Sequence, residues 1–507
     1  MKAEEKKFLV FGTGKSGVAA AELLLRHEAD VVLYDSRADL DIEDFKEKHT
    51  ALAGISVVAG ELPDEIADQV DIVILSPGVP CDLPVVNRLR DAGKIIWGEV
   101  ELAWQMGRGT VAAITGTNGK TTTTSLVGKI LSEHYSDVKV VGNIGIPYTQ
   151  VADETKEDTV IAAEISSFQL ETIDTFAPHV SAILNITPDH LDRHHTMENY
   201  IAAKESITKN QRQGDVCVLN YEDEVLREFG ETLPFKVVYF SSARKLEEGL
   251  YLSGEEIVWR RDGKEDVYIH VDELQILGKH NYENAMAAIA IGDAMGVPKD
   301  AIVRGLRTFQ AVEHRIEYVC EKRGVRFYND SKGTNPDAAI KGIQAMNRRT
   351  VLIGGGYDKQ STYDEWIESF DGKVKKLVLL GQTREKIAAC ARAHGFTDIV
   401  FADSLEEAVE RCWEAAEPGD AVLLSPACAS WGMFDNYEQR GRMYYYYPII
   451  SQKKYLSQEN HYFLDRFYNG EAPTLLSSLL SGSEISDADL EKMYHMLDSK
   501  LNGGEKD

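Results

Sequence analysis

Cysteine is scarce in this chain. Its 507 residues hold six, at positions 81, 217, 320, 390, 412 and 428, and no two of them form a CxxC pair. That scatter excludes a disulfide frame or a cysteine-built zinc site and fits reduced thiols. No apolar run approaches the ~20 residues needed to span a bilayer. The opening MKAEEKKFLVFGTG has charges but only a short apolar run before its glycines, so no signal peptide is expected, and the expectation is a soluble cytoplasmic protein. Positive charge is also in deficit, with 55 Lys and Arg against 82 Asp and Glu, a formal net charge of −27. This excludes general nucleic-acid binding and attraction to anionic membranes. What remains is ordinary for globular proteins. The hydrophobic share is 43%, and the length suggests three or four domains, each with its own core.

The most informative stretch is Val111 to Thr124, VAAITGTNGKTTTT. Val111 to Ile114 reads as a buried strand, and Leu126, Val127, Ile130 and Leu131 follow with helical spacing. Between them lie Thr115, Gly116, Thr117, Asn118, Gly119, Lys120, Thr121 and Thr122. Strand, glycine loop, lysine, hydroxyl and helix is the arrangement that cradles a nucleoside triphosphate. Backbone N–H groups and the helix N-terminus meet the phosphates, the lysine reaches the outer ones, and the hydroxyl ligates Mg²⁺. The usual spacing has a further glycine where this chain has Ile114, so the loop is the shortened form GxxGKT. With so negative a chain, local lysines, arginines and metal must overcome the global field around an anionic nucleotide.

Before this loop, a strand from Phe8 to Phe11 enters Gly12-Thr13-Gly14-Lys15-Ser16-Gly17 and a helix through Leu23 and Leu24. The next strand, Val31 to Tyr34, ends at Asp35, Ser36 and Arg37. GxGxxG followed by an acid resembles a dinucleotide fold, but the same turn holds any diphosphate, including that of a UDP-sugar. A strand from Val70 to Leu75 runs into Ser76 and Pro77, and a helix is expected around Glu99 to Met106. After the loop come strands Val138 to Val141 leading to Asn143, Thr159 to Ala163 leading to Glu164, and Val180 to Ile186 leading to Asp189 and His190. Glu164 alone reads as an acid at a helix start, and His190 as a loop histidine. On the strand ends of one nucleotide fold they read together as Mg²⁺ ligands. Lys204 lies in a helical stretch, and periodicity alone leaves it a solvated lysine. Asn281 and Asn284 share one helix face and would either read an adenine edge or cap the helix.

A third α/β segment begins near Val312. Its strands, Arg326 to Tyr328, Thr350 to Ile353, Leu377 to Leu380, Ile399 to Ala402 and Ala421 to Leu424, end in lysines and hydroxyls that suit a small anionic second substrate.

The combination GTNGKTTT, EISSFQLE, TPDHLDR, YIAAKESI, GKHNYEN, EHR, NDSKGTN, GGGYDK and LLSPACASW resembles the Mur ligases, within them the branch that adds D-glutamate to UDP-N-acetylmuramoyl-L-alanine. The likeness runs from about residue 5 to Arg442. It implies an α/β fold of three domains: a Rossmann-like UDP-sugar domain (1–98), a P-loop ATPase-like central domain (99–310) and a Rossmann-like D-glutamate domain (311–442). It implies ATP and two Mg²⁺ ions, a carbamylated Lys204, a ligase core acting as a monomer in the cytoplasm, and domain closure about a hinge near residue 310. By the same likeness Lys120, Thr121 and Glu164 would serve phosphates and the first ion, and His190 and Lys204 the second. Lys15, Ser16, Asp35, Ser36, Arg37, Ser76 and Asn143 would hold the UDP-sugar. Asn281 or Asn284, Arg315 and Asp330 would contact the nucleotide, and Lys332, Thr334, Lys359, Ser430 and Tyr437 the D-glutamate. Tyr437 stands where relatives carry phenylalanine, which leaves its hydroxyl without a role.

Residues 443–507 depart from that family. Met443 to Ile450 reads as a β-type run, and three helical patterns follow, the last N-capped by Ser486. The stretch resembles the end of penicillinase-repressor and copper-repressor proteins, which implies a mostly helical dimerisation tail giving a homodimer. The DNA-reading helices of that family are missing, and six Lys and Arg stand against ten Asp and Glu, so DNA binding is not carried over. Alternatives are a folylpolyglutamate synthetase, which would lack the first domain, a diamino-acid-adding ligase, which would carry a DNPR-like motif in place of NDSKGTN, and a regulatory protein with a degenerate nucleotide site.

Overall fold

The computed structural model describes residues 3–143, 145–310, 314–358 and 360–446. Lys359 and the tail from Tyr447 onward therefore lie outside the described residues. So do residues 311–313, where the third segment was expected to begin. The described chain forms two compact units, one reaching Tyr318 and including Lys341–Asn347, the other made of Val319–Ile340 and the chain from Arg348.

The first unit holds two sheets. Strands β1 (Lys7–Phe11), β2 (Asp30–Asp35), β3 (Ser56–Ala59), β4 (Ile72–Leu75) and β5 (Ile95–Gly98) form a parallel sheet of order β3-β2-β1-β4-β5. Almost every residue of β1 and β4 is buried, as expected of strands covered on both faces. Helix α1 (Lys15–Arg26) follows β1, and α2 (Glu99–Met106) leads out of β5. The second sheet begins with β6 (Thr110–Thr115), whose exit is the phosphate loop and helix α3 (Lys120–Ser132). Strands β7 (Val138–Gly142), β8 (Val160–Glu164), β9 (Val180–Ile183), β10 (Val216–Asn220), β11 (Lys236–Ser241), β12 (Gly249–Ser253), β13 (Glu256–Arg261) and β14 (Lys264–His270) complete it, in the order β14-β13-β12-β11-β10-β9-β6-β8-β7. Only β13 and β14 are antiparallel additions; the rest is a parallel nucleotide-binding core. Helices α4 (Met197–Glu205) and α5 (Lys279–Ala294) follow.

Strand β9 stops three residues short of the expected Ile186. Leu184 N–H still reaches the Thr115 carbonyl, but Asn185 then turns its carbonyl to Thr117 N–H (2.9 Å). The chain leaves the sheet to hold the phosphate loop.

In the second unit β15 (Glu317–Lys322), β16 (Val325–Asn329), β17 (Thr350–Gly354), β18 (Val374–Leu379), β19 (Ile399–Phe401) and β20 (Ala421–Leu424) take the order β15-β16-β20-β17-β18-β19. Helix α6 (Tyr437–Tyr446) closes the described chain. The β-type run expected from Met443 is thus helical as far as it is described. Tyr444 is fully buried against Val422, Val351 and Cys412, and its hydroxyl donates to the Val422 carbonyl (3.1 Å). Tertiary packing overrides the strand preference of the tyrosines. Among the described residues no helix is long and apolar enough to cross a membrane.

Candidate active site

Register explains why the phosphate loop and Glu164 meet. Glu164 ends β8 level with Ile114 of β6 and Gly142 of β7, so three strand exits open at one edge. Gly116 (φ +149) and Gly119 (φ +85) carry the turn between them. A Cβ on Gly119 would stand 2.4 Å from Asn284 Oδ1, which leaves only glycine there. Asn118 N–H donates to Asn185 Oδ1 (2.8 Å), and Thr117 Oγ1 pairs with the Tyr200 hydroxyl (2.9 Å). Lys120 folds back over the loop, donating to the carbonyls of Gly116 (2.8 Å) and Thr117 (2.9 Å). Burial depresses its pKa against the pull of Glu164 and Asp189.

Glu164 is 1% exposed. One oxygen accepts from Asn143 Nδ2 (2.9 Å), while Oε2 is buried with no hydrogen-bond partner. Burial raises its pKa, opposed by Asn143, Lys120, Thr121 and Arg315. A buried, orphaned carboxylate oxygen beside a threonine hydroxyl and a phosphate-loop lysine is the donor set a hard divalent cation takes, so these residues fit Mg²⁺.

Lys204, left as a solvated lysine by periodicity, is 1% exposed. Its Nζ donates to the Gly116 carbonyl (2.9 Å) and lies 4.6 Å from the centre of the Tyr200 ring. Desolvation and the neighbouring Lys120 push its pKa down to about 7. His190 sits in a left-handed turn (φ +51) with its ring on Phe168, 4.9 Å between centres, and Nε2 3.5 Å from Asp189. Among the described residues no hydrogen bond or ion pair joins His190 to Glu164 or Lys204. Their link is indirect, since Lys120 and Lys204 both feel Asp189.

A second cavity, of about 510 Å³, opens where β1 and β4 end. Lys15, Ser16, Asp35, Arg37, Ser76 and Asn143 all line it, and Ser36 does not. A Cβ on Gly17 would lie 1.9 Å from the Gly12 carbonyl oxygen, which accounts for the last glycine of the signature. Asp35, the acid a dinucleotide fold would turn on a ribose, is already saturated. It accepts from Thr13 N (3.2 Å) and Oγ1 (2.6 Å), and from Arg37 N (3.0 Å), Nε (3.0 Å) and Nη2 (3.1 Å). Burial alone would raise its pKa, but these donors hold it well below the carboxylate range. The buried Ser76 hydroxyl has no partner and faces this space.

The asparagine pair serves the inside of the fold. Asn281 Nδ2 donates to the Leu277 carbonyl (2.7 Å), Asn284 Nδ2 to Asn281 Oδ1 (3.0 Å), and Thr123 Oγ1 to Asn284 Oδ1 (3.2 Å). Asn284 thus ties α5 to α3, and Asn281 braces it from within α5. Arg315 is exposed, and its charge reaches Lys120 and Glu164.

The second unit gathers its own set. Asp330 accepts from Ser425 Oγ (2.7 Å), and Lys332 Nζ lies 5.6 Å from the Tyr437 ring centre. Thr334 is half-buried and Ser430 buried. The Tyr437 hydroxyl donates to Glu438 (3.3 Å), which accounts for the group that the family likeness left without a role. Sequence reading missed Tyr200, Asn185 and Arg440. Tyr200 was within reach, being one helical turn before Lys204.

Four family descriptions match in order along the chain: "Mur ligase MurD-like, N-terminal domain" over residues 6–98, "Mur ligase middle domain" over 114–292, "Mur ligase, glutamate ligase domain" over 314–428, and "Penicillinase repressor" over 432–499. The chain is 56% identical to UDP-N-acetylmuramoylalanine–D-glutamate ligase of Lachnoclostridium phytofermentans, covering 87% of this chain and 97% of the relative. It is 52% identical to the protein of that name from Lachnospira eligens (88% and 98%) and 45% identical to that from Clostridioides difficile (87% and 98%). Among solved structures, UDP-N-acetylmuramate-alanine ligase of Thermotoga maritima shares the fold at 21% identity and a TM-score of 0.53, over 89% of this chain and all of the other.

Proposed function

Because this chain belongs to the Mur ligase family, we propose that it joins D-glutamate to UDP-N-acetylmuramoyl-L-alanine with conversion of ATP to ADP and phosphate, in the cytoplasm. The observation that carries the reading is the orphaned Glu164 oxygen beside Lys120 and Thr121 beneath the glycine loop. The UDP-sugar belongs in the cavity of residues 12–16, 35, 37, 76 and 143, ATP on the loop from Gly116 to Thr122 with Arg315 and Asp330, and D-glutamate with Lys332, Thr334, Ser430, Tyr437 and Lys359.

The chemistry asks two anions to meet. The terminal carboxylate of the UDP-sugar peptide attacks the γ-phosphate, giving an acyl phosphate. The amine of D-glutamate then displaces phosphate from the activated carbonyl. Lys120 leaves its two loop carbonyls for the phosphates and offsets the charge that gathers on them. Thr121, Glu164, His190 and Lys204 would hold two Mg²⁺ ions, which when bound supply further neutralisation and orientation. Lys204 suits that task as a carbamate. Its neutral amine attacks CO₂, forms the N–C bond and loses a proton, turning a cation into an oxygen ligand. Glu164 and Asn143 fix the far side of the site.

The test is ATP turnover by the purified chain. It should require both UDP-N-acetylmuramoyl-L-alanine and D-glutamate, and turnover that ignores either substrate rejects the proposal. We assign residues 443–507 to a dimerisation tail by their likeness to penicillinase repressors. A monomer mass by light scattering rejects that assignment.

A further inference from the structure

Arg440 lies on the inner face of α6 and is 2% exposed. Its Nε donates to Ser331 Oγ (3.0 Å), Nη2 to the Ser331 carbonyl (2.8 Å) and Nη1 to the Cys428 carbonyl (3.2 Å). Among the described residues none of the ion pairs involves it: its hydrogen bonds go to neutral acceptors, and the Asp330 carboxylate reaches it only through its charge. That is an unfavourable way to fill a core position that apolar atoms would fill better. What a guanidinium supplies, and a lysine or leucine does not, is a planar fork that grips two separate turns at once.

The two turns are 329–335 and 425–431. Ser331 is the junction: its hydroxyl also donates to the Tyr437 carbonyl (2.7 Å), and its N–H goes to Asn329 Oδ1 (3.1 Å). Asn329 Nδ2 returns to the Gly441 carbonyl (3.2 Å), one residue from Arg440. On the other side Cys428 follows Ala427, which is held at φ +56, a conformation an L-residue keeps only when its surroundings impose it. Asp330 is anchored independently, by its N–H to Leu424 (2.7 Å) and by Ser425 Oγ.

We propose that Arg440 is a positioning residue for the second substrate: by clamping Ser331 to the Cys428 turn it sets where Lys332 and Ser430 stand for the incoming D-glutamate. The inference rests on reading these turns as the D-glutamate site. It distinguishes Lys332, one residue from the clamp, from Asp330, which has its own anchors. Disturbing Arg440 should therefore affect D-glutamate and spare ATP.

The variants are Arg440→Lys, which keeps the charge and loses the fork, and Arg440→Met. Ser331→Ala removes one end of the same contact without opening the core. The readouts are the KM of each substrate, and positional isotope exchange in ATP with UDP-N-acetylmuramoyl-L-alanine but no D-glutamate. Both Arg440 variants should raise the D-glutamate KM by ~10-fold or more, since small misplacements of oriented groups carry large rate effects. Ser331→Ala should shift it the same way by less. The ATP KM and the exchange rate should stay within about twofold of wild type. A D-glutamate KM unchanged in folded Arg440→Lys and Ser331→Ala overturns the proposal, as does a parallel loss of exchange. Wild-type protein without D-glutamate-dependent turnover overturns the functional reading, and this inference with it.

Discussion

Lys204 shows how far one residue's surroundings move it from its usual state. Its amine faces burial, the Lys120 charge and a single carbonyl, and its pKa falls from 10.5 to about 7. Two outcomes follow with opposite experimental handles. The amine becomes the nucleophilic, neutral form as pH rises through about 7, so restoring bicarbonate to CO₂-depleted enzyme should recover more activity above that pH than below it. Recovery independent of pH rejects the carbamate. The folded protein also binds fewer protons at this site than the unfolded chain between about 7 and 10.5. Stability in CO₂-free buffer should therefore rise with pH across that window. Lys204→Met should flatten the rise, as read by urea unfolding at two pH values inside the window. At Lys120 the expectation is simpler. Lys120→Ala should lower ligation by ~10²-fold or more, the scale on which a preorganised electrostatic group acts, while its circular dichroism and melting temperature stay near wild type. Near-normal amide formation would remove Lys120 from the mechanism.

Elements differ in how openly the sequence announces them. Strand β6, the glycine loop and α3 were legible because apolar run, glycines and helical spacing change period within a few residues. The cavity at the end of β1 was legible for the same reason, and six of its polar lining residues (Thr13, Lys15, Ser16, Asp35, Ser76 and Asn143) sit at strand exits or on the glycine turn. Less local facts were not. Nothing in a helix period says that Lys204 points inward, since that depends on the Gly116 carbonyl 88 residues away. Asn281 and Asn284 were legible as a pair on one helix face, but the Thr123 hydroxyl that bonds Asn284 lies 161 residues away in the chain. Four consecutive tyrosines looked like a strand, although Tyr437, Arg440 and Tyr444 recur at helical spacing. The glycine loop gives the element-scale prediction. Gly119→Ala puts an L-residue at φ +85 and a Cβ 2.4 Å from Asn284 Oδ1. A left-handed non-glycine residue costs about 1–2 kcal/mol before any clash. The variant should melt several degrees lower and lose affinity for a non-hydrolysable ATP analogue, measured by calorimetry. Wild-type affinity would mean that α5 yields and that the loop is not shaped by Asn284.

Across the whole molecule the unusual feature is the join between a ligase and a repressor-like tail. The repressor description begins at residue 432, ahead of α6 (Tyr437–Tyr446), and so takes in a helix whose side chains pack into the third domain; sequence likeness and packing place the seam differently. Packing assigns α6 to the ligase. Arg440 binds the Ser331 and Cys428 turns, and Tyr444 fills the core of the third domain while its hydroxyl satisfies the Val422 carbonyl. Two truncations separate these views. Ending the chain after Tyr446 keeps both residues, so D-glutamate-dependent turnover should persist and any dimer should be lost. Ending it after Arg442, where family likeness alone would cut, removes Tyr444. Deleting a large buried aromatic costs about 3–5 kcal/mol, a sizeable share of a domain's total stability. That protein should unfold at markedly lower urea concentration, and Tyr444→Ala in the full chain should reproduce most of the loss. Tyr444→Phe should lose only the hydrogen bond, about 1 kcal/mol. Equal stability of the two truncations would put the seam back at residue 442 and make α6 part of the tail.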